Sequence, residues 1–160
     1  MRDRIRQFRD AGRPPTVDDY AIAAPYLDGP LLELFRAQHP RDIVHSAATA
    51  RWLLDRGYDD PDLIAAALLH DIGKGHQRRF DRVAYVVAGK LRVASLLGSP
   101  GSRFEVRRAI ARSLAHSERG VALLRAAGAS ERVVDLTARH HRPPGDDRVL
   151  ALLQQADAAS

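Results

Sequence analysis

The chain has 160 residues and a formal charge of +5, with 45% apolar and only 6% aromatic residues and no cysteine. That length fits one domain with an ample core, and the missing thiols exclude disulfides, zinc–thiolate sites and a thiol nucleophile. The positive surplus suits small anionic ligands, but it is dispersed and lacks a basic stripe with interleaved aromatics, so no nucleic-acid surface is expected.

Ala and Leu dominate, and apolar residues recur at three- and four-residue steps rather than alternating, which predicts an all-α helical bundle. No apolar run approaches the roughly 18 residues of a membrane span, and the charged start Met1-Arg2-Asp3-Arg4 is unlike a signal peptide. A cytoplasmic protein without a transmembrane segment is the expectation.

In chain order, residues 1–15 read as a lead-in ending in Gly12-Arg13-Pro14-Pro15. Thr16-Val17-Asp18-Asp19 resembles a capping box with Asp in place of Glu, and it predicts a short helix to about Leu27. Asp28-Gly29-Pro30 opens another, to about Gln38. His39-Pro40 breaks it, and a long amphipathic helix is predicted from about Arg41 to Arg56, closed by Gly57. Asp59-Asp60-Pro61 starts a helix that is apolar nearly all round, which predicts the buried centre of the bundle. Its end carries His70 and Asp71, before Gly73 and Gly75 release the chain. Further helices are predicted over about Arg82–Leu97, Phe104–Ala115, Ser117–Ala127, Ser130–Arg139 and Asp147–Ala158. The first of these is apolar yet edged by Arg78, Arg79 and Arg82. Plain packing, a substrate-covering wall, a membrane-surface contact or a homo-oligomer contact through residues 80–97 would each suit it.

Five of the seven histidines and two aspartates form an ordered series: His45, His70-Asp71, His116, His140-His141 and Asp157. Without cysteine, a metal must be held by imidazole and carboxylate, a donor set suited to Fe, Mn, Co, Ni or Zn rather than Ca or Mg. Fe or Mn comes first. An Asp has two oxygens and can bridge two cations, and a water between such ions becomes a hydrolytic nucleophile. Each residue alone has a plainer reading: His45 as a core histidine, His116 as a helix cap, His140-His141 as a solvated pair favoured by a helix C-terminus. Asp71 suits that reading least, because the same helix dipole repels a carboxylate unless cations are near.

This series, with the run His70-Asp71-Ile72-Gly73-Lys74, resembles the HD domain superfamily of metal-dependent phosphohydrolases, and the run itself is similar to the HDIG signature of the HD-GYP branch. The GYP segment is lacking: after the histidine pair the chain reads Arg142-Pro143-Pro144-Gly145-Asp146-Asp147. The resemblance implies residues 39–160 as an HD-type metal-binding domain, with residues 1–38 as short helices packed on it. It implies that His45, His70, Asp71 and Asp157 hold one divalent ion, and that Asp71 bridges to a second held by His116, His140 and His141. Which of His140 and His141 coordinates directly stays open. Asp71 and Lys74 are the implied catalytic residues, Asp71 orienting a metal-bridging hydroxide and Lys74 offsetting charge on the phosphate of a nucleotide-like mono- or diester. Two alternatives use the same residues: a di-iron oxygenase of the superfamily, and a non-enzymatic nucleotide-binding HD domain.

Overall fold

The computed structural model describes residues 13–74 and 116–160, with the side chains of Lys74, His116 and Ser117 outside that description. Among the described residues the regular structure is helical, with no strand. The helices expected at Arg82–Leu97 and Phe104–Ala115, and with them the proposed contact surface at 80–97, lie outside the described residues.

Helix α1 spans Val17–Ala21, shorter than the capping signal suggested. The carboxylate of Asp19 accepts from the Thr16 backbone N–H at 2.9 Å and from its hydroxyl at 3.0 Å, so the start is held as expected. The end is set by Pro25, whose ring would meet the carbonyl of Ala21 four residues back. The chain proceeds instead through short-range turns, with the Ala24 N–H bonded to the Ala21 carbonyl and that of Tyr26 to Ala23. Helix α2 is Gly29–Arg36, α3 is Pro40–Leu54 and α4 is Pro61–Leu69. A 3-10 turn, Ile72–Lys74, follows. Helix α5 is His116–Ala126, α6 is Glu131–Arg139 and α7 is Arg148–Ala159.

Local chemistry explains most boundaries. Asp60, Ser130 and Asp147 cap α4, α6 and α7, each accepting the backbone N–H three residues on. Helices α3 and α5 end in the same device. Gly57 and Gly128 take φ of 79° and 80°, and the N–H groups of Tyr58 and Ala129 reach back to the carbonyls of Leu53 and Leu124. Only glycine enters that left-handed region without strain.

Helix α4 is the centre. Leu63 through Leu69 are all buried, and α2, α3, α6 and α7 pack around them. A helix without a polar face has no other stable place in a bundle. Helix α5 lies against the 3-10 turn and α6. The approach to the turn is close: a Cβ on Gly120 would stand 3.4 Å from the Gly73 backbone nitrogen. Consequently the C-terminal end of α4, the turn after it, the middle of α3 and the ends of α6 and α7 converge on one region.

Candidate metal centre

Six side chains, from α3, α7 and the ends of α4 and α6, meet there in a continuous series. His45 Nε2, from α3, lies 2.9 Å from Asp157 Oδ1 on α7, across 112 residues of sequence. That same oxygen is 3.4 Å from His70 Nε2. His70 Nε2 is 3.6 Å from Asp71 Oδ2, and the other Asp71 oxygen, Oδ1, is 3.7 Å from His140 Nε2. The His141 ring stacks at a tilt on that of His140, their centroids 3.8 Å apart. Asp71 thus turns one oxygen toward each of two imidazoles.

The two buried histidines among the described residues share one geometry. His70 and His140 are the C-terminal cap residues of α4 and α6. Helix ends leave carbonyls without intrahelical donors, and each imidazole uses one three residues back: His70 Nδ1 lies 3.0 Å from the Ala67 carbonyl and His140 Nδ1 2.6 Å from that of Thr137. A carbonyl only accepts, so Nδ1 must carry the hydrogen, and in the neutral ring Nε2 presents a lone pair to the site. This is the arrangement by which a second partner fixes the tautomer of a metal-binding histidine. Ala67 and Thr137 were not singled out from sequence, although the signal existed: a histidine that ends a helix has such a carbonyl within reach.

The electrostatics agree with the geometry. Burial, then the proximity of His70 and His141, pushes the His140 imidazole down to about 3, against the opposing pull of Thr137 and Asp71, so it is neutral at ordinary pH. Burial opposes ionisation of Asp157. Its hydrogen bonds and charge interactions with His45 and His70 outweigh that and hold the carboxyl far below the usual carboxylate range. The region therefore holds both a neutral imidazole, His140, and an anionic carboxylate, Asp157, the two donor types that bind divalent transition ions.

Among the described residues, two groups of donor atoms are compact enough for an ion each. His45, His70 and Asp157 form one, and Asp71, His140 and His141 the other, with the donor atoms of each within 4.8 Å of one another. His140 is buried and His141 exposed, so the adjacent pair is split between the interior and the surface. His116 begins α5, one helical turn before Gly120, which packs on Gly73; its side chain is outside the described ones. Lys74 ends the 3-10 turn three residues after Asp71, and its side chain is likewise outside them. Among the described residues no helix is long and apolar enough to cross a membrane.

Comparison with curated proteins found no match, and neither did comparison with solved structures. A family model does match, the HD domain, over residues 36–160. That span includes every residue of the histidine–aspartate series and begins at the last residue of α2. On this match and on its helical architecture, the chain belongs to the HD domain family, whose members are mostly metal-dependent hydrolases.

Proposed function

We propose that this protein is a metal-dependent phosphohydrolase acting on a small phosphate ester, a nucleotide-like mono- or diester. The observation that carries the reading is the position of Asp71. It is buried, and its two oxygens stand 3.6 Å from His70 Nε2 and 3.7 Å from His140 Nε2, between the two donor groups. One carboxylate facing both groups is what a bridging ligand requires.

In this reading His45, His70, Asp71 and Asp157 hold one ion, and Asp71, His116, His140 and His141 hold a second. The donor chemistry favours Fe or Mn, with Co, Ni and Zn also suited. Divalent ions so held supply Lewis acidity, lowering the pKa of a water and polarising a phosphoryl oxygen. The chain's own residues do the rest. His70 and His140 keep their Nδ1 hydrogens on backbone carbonyls and so hold Nε2 inward. Asp71 orients the attacking water, and Lys74, three residues on, offsets charge that develops on the phosphate. No side-chain nucleophile is needed.

The test is metal content and hydrolysis measured on one preparation. Protein loaded with Mn2+, or with Fe2+ without air, is expected to hydrolyse an aryl phosphomonoester or phosphodiester in proportion to bound metal. Lys74→Ala is expected to retain the metal and turn over more slowly, by roughly 10²-fold, the scale for one lost charge-stabilising group. Dioxygen uptake by the ferrous protein, with no phosphate released from any ester, would overturn the reading in favour of oxygenase chemistry.

A further inference from the structure

The distance between His45 and His70 depends on how two helices, α3 and α4, pack against each other. His45 belongs to the middle of α3 and His70 ends α4. One side chain outside the donor set touches both helices close to those residues. Gln38, just after α2, donates from Nε2 to the carbonyl of Leu68 at 2.9 Å, and its Oε1 accepts from the Ser46 hydroxyl at 3.4 Å. Ser46 follows His45 directly and is fully buried. Leu68 lies two residues before His70 in the last turn of α4.

The orientation of the amide follows from its partner. The Leu68 carbonyl can only accept, so the NH2 end must face it, which leaves Oε1 for the hydroxyl. The bond also completes the end of α4. Its last carbonyls need donors from outside the helix, and the Ala67 carbonyl is already taken by His70 itself. Gln38 supplies the next one along. Its NH2 dipole also offsets the negative end of α4, which points toward Asp71 and disfavours a carboxylate there.

We infer that Gln38 is a positioning residue of the metal centre, bridging Ser46 beside His45 to the Leu68 carbonyl beneath His70 and so fixing the separation of the two imidazoles. This rests on the metal reading above and adds a residue outside its donor set. Groups bonded directly to ligating side chains carry about 10–100-fold in metal affinity, and Gln38, which acts one step further out through Ser46 and Leu68, should carry less.

The experiment is Co2+ binding by the full chain, followed by its visible absorption bands and by competition with a chelator, with melting temperature recorded for every variant. Gln38→Met keeps the volume without the donor, and Gln38→Glu turns a carboxylate toward the Leu68 carbonyl. Gln38→Met is expected to weaken Co2+ binding by a few fold, up to about 10-fold, and to shift its bands, with Gln38→Glu weaker still. The control is Asp60→Ala, which removes the cap at the opposite end of the same helix. It is expected to lower the melting temperature while leaving Co2+ affinity and spectrum unchanged. Unaltered Co2+ affinity in both Gln38 variants would overturn the inference, as would an equal loss in Asp60→Ala. Wild-type protein that takes up no Co2+ would instead overturn the metal reading beneath it.

Discussion

Two aspartates of this molecule are almost equally buried, Asp19 at 1% exposure and Asp71 at 3%, and their surroundings differ in kind. Asp19 is answered by the chain's own cations and donors. Arg13 pairs with both of its oxygens, Arg51 of α3 lies 3.5 Å away, and Thr16 contributes a backbone N–H and a hydroxyl. Burial raises its carboxyl, but the hydrogen bonds of Arg13 and Thr16 and the charge of Arg13 outweigh it and hold it well below its ordinary value. Asp71 faces the imidazoles of His70 and His140 at 3.6 and 3.7 Å, and the His140 ring is neutral, with its Nδ1 hydrogen on the Thr137 carbonyl. Burying a carboxylate is tolerable when positive charge meets it. At Asp19 that charge is built into the sequence, which marks a structural lock between α1 and α3. At Asp71, in the proposed function, it comes from bound ions held between the imidazoles that end α4 and α6.

The sharpest way to break this contrast is to neutralise each aspartate without changing its shape. Asp71→Asn is expected to depress phosphoester turnover by roughly 10²–10³-fold or more, as for a lost charge-stabilising group, and to deplete both ions on elemental analysis. Full metal content and activity in that variant would show that Asp71 is no bridge. Removing the ions from the wild-type protein is the next largest effect. Asp157 ties the final helix to His45 and His70, so metal should stabilise the fold by mass action. At a free-metal level near 100 times Kd this is about 2.7 kcal/mol, or a fall of roughly 5–10 °C in melting temperature after chelation. An unchanged melting temperature after verified stripping would contradict the assignment.

Asp19→Asn should do the opposite of Asp71→Asn, leaving metal stoichiometry intact while lowering stability by roughly 1–3 kcal/mol. That range lies below the full cost of breaking a buried pair, because Arg13 and Arg51 are partly exposed and can rehydrate. The sign of its pH dependence follows from the depressed carboxyl. The folded state holds Asp19 ionised below its ordinary value of 3.8, so its contribution is complete above that value and is lost as the pH falls through and below it. Melting curves from pH 7 to pH 3 should therefore bring the wild type toward Asp19→Asn at the acid end. Parallel curves across that range would remove Asp19 from the account of stability.

Much of this was legible in the residues themselves. Asp60-Pro61, Ser130 and Asp147 marked helix starts, Gly57 and Gly128 marked ends, and the all-round apolar stretch after Asp60 marked the bundle centre. These signals act within about four residues, the reach of a capping side chain or a helix turn, so they survive without knowledge of the rest of the chain. Where a local signal competed with another, the reading slipped: the Thr16–Asp19 box promised a helix to Leu27, and the backward clash from Pro25 ended it at Ala21. The metal-ligating residue types and their order were equally visible, since the chemistry of imidazole and carboxylate is a property of each side chain.

What sequence by itself determined, then, was the helical class, most of the boundaries of the described helices and the inventory of donors. Tertiary structure alone decided that His45 and Asp157 meet at 2.9 Å, that His140 is buried while His141 faces outward, and that Gln38 spans from Ser46 to Leu68. Those facts depend on how far one helix slides and turns against another, a register fixed by packing around α4 rather than by any residue's immediate neighbours.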